Sequence, residues 1–170
     1  MVTGDSVEKA CAEVGEYTDE FMVSEFDRFF RAQPSICEFI IELTSGSGQK
    51  IQELSLFLSY IVFKAAEIEK QGAADTISQE QIEAAYRTTE SWMAQLGGSE
   101  NSENQAAIAA SMKQDKEPNL LQYVISELNE PLEDDVELNE EEKGEIFFIL
   151  KTVIASLDRG VERRIIEIDQ

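Results

Sequence analysis

Histidine is missing from this chain altogether, and no other single absence narrows its chemistry as far. Ser-His-Asp and Cys-His catalysis both need an imidazole to take the proton, and ferritin-like di-iron sites in helical bundles are built on Glu-x-x-His. His-based zinc sites are excluded for the same reason. What remains for chemistry is carboxylate, lysine and thiol, and no local motif marks out a pair of them. Cysteine is scarce as well: Cys11 and Cys37 are the only two, with no CxxC and no metal-ligand spacing. Both fall in apolar helical patterns, so they are expected to be buried free thiols of a reducing compartment.

Basic residues are few, 14 Lys and Arg against 35 Asp and Glu, for a net charge of −21. Phosphate binding needs clustered cations, so neither free nucleic acid nor an anionic membrane surface is an expected partner. The charge favours a basic protein partner, although a well-solvated surface alone would account for it. Long apolar runs are absent too. Nothing approaches the eighteen or more residues of a membrane span, and the first residues show no basic stretch leading into an apolar one. The expectation is a cytoplasmic protein. Neither GxxxxGK[ST] nor GxGxxG occurs, and Gly46-Ser47-Gly48 lacks the strand and lysine that a phosphate loop requires. No cofactor is expected.

What is present is helix grammar. Val7, Ala10, Cys11 and Val14 follow i, i+3, i+4, i+7 spacing after a cap at Asp5 or Ser6, and Gly15 is the stop. Thr18 caps a second helix, with Asp19 and Glu20 in its first turn and Met22, Phe26, Phe29 and Phe30 on one side, running to about Ala32. Pro34 opens a third helix to Thr44 that is apolar nearly all the way round and therefore predicted to be central. After the Ser45–Gly48 turn, a long helix to about Lys70 carries Ile51, Leu54, Leu58, Ile61, Ala65 and Ile68 as a bundle seam, closed by Gly72. Phe57, Tyr60 and Phe63 lie off that seam. They need a second cover, either a neighbouring helix of the chain or a second subunit in a homodimer.

Ser78 with Gln81 makes a capping box, and Ile77 with Ile82 a hydrophobic staple, for a helix bearing Ala85, Tyr86, Thr89, Met93 and Leu96, with Trp92 at the edge of the stripe. Residues 97–104 have linker composition. Ser102 with Gln105 is a second candidate box for an Ala-rich helix with Ile108 and Met112. Pro118 opens a helix with Leu121, Val124, Ile125 and Leu128. Asn139 caps the last one, which carries Ile146, Ile149, Leu150, Val153, Ile154 and Leu157. The fold class is all-α, about eight helices in one bundle-like domain spanning residues 1–170.

Shifting the first half by 84 residues lays Thr18 on Ser102 and Pro34 on Pro118, and four more residues bring Gly72 onto Gly160. The chain therefore reads as two pseudo-symmetric four-helix units, residues 5–72 and 78–160, with 161–170 as a tail. Two amphipathic hairpins with proline at the start and glycine at the end would share this grammar without duplication.

The segment between Glu127 and Glu145 is dense in carboxylates. An EF-hand loop beginning at Asp135 does not fit it, because Glu140 would occupy the glycine position and Ile146 the bidentate glutamate position. No metal site is assigned. Glu133, Asp134, Asp135, Glu137, Glu140 and Glu141 are instead the candidate interaction surface. Arg159, Arg163 and Arg164 form the lone basic cluster and suit a helix C-terminus. Three functions stay open: a non-enzymatic acidic helical interaction protein, a nucleic-acid mimic presenting carboxylates to a basic DNA- or RNA-binding protein, and a small-ligand carrier or carboxylate enzyme with a pocket between helices.

A charge of −21 on one small chain repels itself, and added monovalent salt screens that repulsion. The melting temperature is expected to climb from low to moderate sodium chloride. A flat profile by circular dichroism would show that self-repulsion costs the fold nothing.

Overall fold

Capping side chains and two prolines decide where the helices begin. The computed structural model describes residues 1–95, 112–130 and 137–157, and among these it is helical with no strand. Seven helices fall in the described residues: α1 (Gly4–Gly15), α2 (Asp19–Ala32), α3 (Pro34–Leu43), α4 (Gln49–Lys70), α5 (Gln79–Gln95), α6 (Pro118–Asn129) and α7 (Glu140–Ser156). The Ala-rich helix expected after Ser102 and the tail from Asp158 lie outside the described residues, although Met112 and Lys113 are helical.

Most of the sequence signals are realised. The Thr18 hydroxyl accepts from the Phe21 amide at 3.2 Å. Ser78 and Gln81 exchange backbone-to-side-chain bonds at 2.9 and 3.2 Å. Asn139 and Glu142 form a further capping box that positions three glutamates against the positive end of α7. Two boundaries differ. The cap of α1 is Thr3, whose hydroxyl accepts from Ser6, so Asp5 and Ser6 are first-turn residues. At the end of α4, the residue in the left-handed region is Gln71 (φ 60°) and not Gly72, whose amide then reaches back to the Glu67 carbonyl.

The central helix is α4 and not α3. Residues 58–63 of α4 are buried without a break, which requires protein on every side of that stretch. One side is supplied by α1, another by α7, and α3 packs alongside. The aromatic side that called for a second cover receives α2 of the same chain. Phe26 lies 5.4 Å from Tyr60 ring to ring, and Phe29 lies 5.8 Å from Tyr60 and 5.5 Å from Phe63. A second subunit is not needed there. Polar bonds hold α2 in place: the Tyr60 hydroxyl donates to Glu25 at 2.5 Å, and Arg28 bridges Glu25 and Glu67. In α3 only one face is covered, by Ile36, Cys37 and Ile40, and Ile41 is left 41% exposed. Its ten residues pack against α4 and α5, and also against α2 and α7.

The remaining contacts link the parts of the chain crosswise. Helix α5 packs on α7 and on α3, while α6 packs on α7 and on α1. Tyr86 and Trp92 of α5 meet Phe148 and Phe147 of α7 at 5.5 and 6.1 Å. Trp92, read from the sequence as peripheral, also carries the Lys151 ammonium 4.8 Å from its ring centre, and Asp115 holds that ammonium at 2.9 Å. A lysine this buried is retained because Asp115 neutralises it and the Trp92 ring face attracts it.

Two pairs of helices bury matching positions. Counted from the opening proline, the third, fourth and seventh residues are buried in both α3 (Ile36, Cys37, Ile40) and α6 (Leu120, Leu121, Val124), and α6 buries Leu128 as well. Counted from the capping hydroxyls Thr3 and Ser78, the buried residues of α1 are Ser6, Val7 and Ala10. Those of α5 at the same steps are Gln81, Ile82 and Ala85.

Within the buried stretch of α4 the side chains are not equivalent. Leu58 fills the core, whereas Ser55 and Ser59 bury hydroxyls that find no hydrogen-bond partner among the described residues. Leu58→Ala is expected to cost about 2–5 kcal/mol. Ser59→Ala should be neutral or stabilising by up to about 1 kcal/mol, because it removes an unmet donor and improves helix propensity. Urea titrations of both variants check this; a destabilised Ser59→Ala would show that the hydroxyl is bonded in solution.

Candidate functional site

The acidic connection before α7 was the surface singled out by composition. Glu133, Asp134 and Asp135 lie outside the described residues. Glu137, Glu140 and Glu141 are exposed at the foot of α7. The foot is fastened from α4: Lys50 donates to the Glu137 carbonyl at 3.3 Å and pairs with Glu142 at 3.4 Å, and the Ser47 hydroxyl donates to Glu145. Glu140 pairs with Lys143 on its own helix. Among the described residues, no group of three or more Cys, Asp or Glu side chains is placed to hold a metal ion. Arg159, Arg163 and Arg164 fall outside the described residues.

The thiols are not poised for nucleophilic work. Burial pushes the Cys37 thiol up to about 12. Cys11 is raised as well, first by burial and then by Glu127 and Glu8, against a bond with Tyr123 that lowers it.

Convergent polar groups are found instead where the starts of α3 and α6 meet the starts of α5 and α1. The ring of each opening proline disfavours helical backbone at the residue before it. Gln33 and Glu117 accordingly share one conformation, φ −131°, ψ 60° and φ −127°, ψ 60°. Each reaches across the chain to the residue ahead of a capping hydroxyl. The Ile77 amide donates to Gln33 Oε1 at 2.9 Å, and the Val2 amide donates to Glu117 Oε2 at 2.8 Å. The amide of Gln33 completes its joint by donating to the Asp75 carbonyl at 2.9 Å. At the other joint, Asn119 donates to the Val2 carbonyl at 3.0 Å, and Glu69 accepts from the Thr3 amide and from the Thr3 and Ser6 hydroxyls.

Between these joints, at the C-terminal end of α4, opens a cleft of about 460 Å³. Its lining includes Ala66 and Lys70 of α4, Ala74, Asp75, Thr76 and Ile77 of the connection to α5, Gln81, Glu117 and Leu157. Glu117 is half-buried, with 18% of its side chain exposed. Desolvation raises its carboxyl above the ordinary range, and Asp115 and Glu69 add to this. The Val2 amide and the α-ammonium of Met1 pull the other way without cancelling it. Lys70 on the opposite wall pairs with Asp75 at 3.2 Å. Sequence reasoning missed Gln33 and Glu117. The one local mark they carry is position before a helix-opening proline, and their partners lie 44 and 115 residues away along the chain.

No protein-family model, no curated protein and no solved structure matches the chain. The site therefore stands on its own geometry.

The sign of the Glu117 effect is fixed by the direction of its shift. A carboxyl raised in the folded state contributes stability that is present below its unfolded value, about 4.3. That stability is lost as pH rises through the folded value. Glu117→Gln keeps an acceptor for Val2, as Gln33 does for Ile77, and cannot ionise. The variant is expected to melt close to the parent near pH 4 and progressively above it toward pH 7. Melting curves across that range check the difference, and a variant that melts below the parent at pH 7 would reverse the assigned direction.

Proposed function

We propose that this is a non-enzymatic, acidic, helical interaction protein that acts by docking a partly apolar helical face onto a basic protein partner. The observation that carries the proposal is the outer flank of α2. Val23 is 70% exposed and Phe30 38% exposed, and the two are seven residues apart on one side of the helix. Asp19 and Asp27 lie on that side as well, so the flank offers apolar contact bordered by carboxylates. Net charge of −21 adds long-range attraction for a cationic partner.

The scaffold under that face is proposed to be two four-helix units, residues 5–72 and 78–160. Exchanging α1 with α5, α3 with α6 and α4 with α7 carries the contact of α1 with α4 onto that of α5 with α7. It carries α1 with α6 onto α5 with α3, and α3 with α4 onto α6 with α7. The pair α4 and α7 maps onto itself. The matched buried positions and the matched joints at Gln33 and Glu117 support the same pairing of elements. Shared helix grammar alone would produce the prolines but not the reciprocal grip.

The test compares the parent chain with Val23→Asp/Phe30→Asp in affinity capture from the native cell at low and moderate salt. Neither side chain is in the core, so the double variant is expected to keep its helical circular dichroism and melting temperature within a few degrees. The parent should retain a basic protein that the variant loses. Equal capture by both chains would remove the α2 flank from the proposal.

A further inference from the structure

The two joints make the same backbone contact with different chemistry, and the difference faces the cleft. Gln33 spends both ends of its amide, on Ile77 and on Asp75. Glu117 spends Oε2 on Val2 and leaves Oε1 without a hydrogen bond among the described residues. Among the described residues, the nearest cation to that oxygen is the Met1 α-ammonium at 3.9 Å, outside hydrogen-bond range. Among the described residues, no Lys or Arg side chain pairs with Glu117. Lys70 across the cleft is held by Asp75.

We propose that this cleft seats a basic side chain of the protein partner, lysine or arginine, with Glu117 Oε1 as the carboxylate that receives it. The proposal rests on the partner being a basic protein. Several observations converge on it. The volume, about 460 Å³, exceeds one water or ion and falls in the range of roughly 300–1,000 Å³ that holds extended organic groups. Ala66, Ala74, Ile77 and Leu157 supply apolar wall for the methylene stem, and the charged head then meets the carboxylate. Gln81 is buried in the same wall, and its Oε1 is taken by the Ser78 amide. Its Nε2 makes no hydrogen bond among the described residues and so is available to a backbone carbonyl of an incoming chain. The rim of the cleft is also tied to the end of α2, where the Thr76 hydroxyl donates to the Ala32 carbonyl at 3.0 Å, two residues beyond Phe30.

A stability argument points the same way. An amide at this joint is demonstrably sufficient, since Gln33 makes the equivalent contact. A half-desolvated carboxylate costs the fold something at neutral pH that an amide would not. Residues that break a local rule in this manner mark sites where function is served at the expense of stability.

The experiment titrates the full chain with acetylated, amidated tri-lysine by calorimetry, at low and moderate salt. An acidic surface binds such a peptide weakly everywhere, so the comparison is with Glu8→Gln on the exposed side of α1, which removes the same charge. Glu117→Gln is expected to weaken binding about tenfold, the equivalent of one lost charge-assisted bond. Glu8→Gln should change it less than about twofold. Replacing lysine with norleucine in the peptide should abolish binding to the parent. Equal affinities for Glu117→Gln and Glu8→Gln would overturn the proposal. Amide shifts in the parent chain give a readout that does not depend on the variant folding. On adding peptide, Val2, Ile77 and Gln81 are expected to move, and shifts confined to Glu140 and Glu141 would overturn it. Partner capture separates this proposal from the one it rests on. If Glu117→Gln captures the partner as well as the parent does, and Val23→Asp/Phe30→Asp does not, the cleft assignment falls and the docking face stands.

Discussion

Six consecutive buried residues in the middle of α4 set the terms for the rest of the molecule. An amphipathic helix can rest one face on a core and leave the other in water, but residues 58–63 have no wet face. They must be surrounded, and α1, α2, α3 and α7 are arranged to do it. Self-repulsion from a net charge of −21 pushes the carboxylates outward. Apolar burial on this scale is what holds the elements together against that repulsion and against chain entropy.

Local signals were the legible part of the sequence. Thr18, Ser78 and Asn139 cap the helices they were expected to cap, because a side-chain oxygen satisfying the second or third amide is a contact within three residues. The bundle seam of α4 and the apolar face of α7 followed from 3.6-residue periodicity. What periodicity could not rank was which apolar helix is central. The helix after Pro34 looks more uniformly apolar, yet Ile41 is exposed and α3 covers one face, while α4 with its serines is enclosed. Centrality is a property of neighbours, and neighbours are set by tertiary packing. Thr3 was overlooked as a cap because the apolar pattern begins only at Val7. The composition of the acidic connection drew attention to Glu137, Glu140 and Glu141, but composition does not distinguish a solvated helix foot from a site. Gln33 and Glu117 left no trace beyond the proline that follows each, since their chemistry depends on backbone amides far along the chain.

The resemblance between the halves illustrates the same divide. Shifting the chain by 84 residues aligns two prolines and two apolar segments, and amphipathic helices in general would do nearly as well. The crosswise grip carries more weight, because it needs two side chains at one backbone conformation, each finding an amide just ahead of a helix cap in the opposite half. In the packing itself, α1 rests on α6 and α5 rests on α3. On the proposed two-unit reading the units would therefore interlock, as parts of one cooperative domain do.

Scarcity of cations explains where the chain is complete and where it is open. With 14 basic residues against 35 acidic ones, several cations are used to tie elements to one another. Arg28 joins α2 to α4, Lys64 joins α4 to Glu13 of α1, Lys50 joins α4 to Glu142 of α7, and Lys151 joins α7 to Asp115. Those pairs are worth little individually where they are exposed. Their placement still shows what a carboxylate at an element boundary ordinarily receives in this fold. Glu25, beside Arg28 and the Tyr60 hydroxyl, is drawn below the usual range although burial alone would raise it. Glu117 stays raised because desolvation outweighs the Val2 amide and the Met1 α-ammonium, and among the described residues no side-chain cation pairs with it. Among the described residues, the difference between the two glutamates is a side-chain cation, which Glu25 has in Arg28 and Glu117 lacks. On the reading proposed above, a basic partner would bring that charge to the mouth of the cleft.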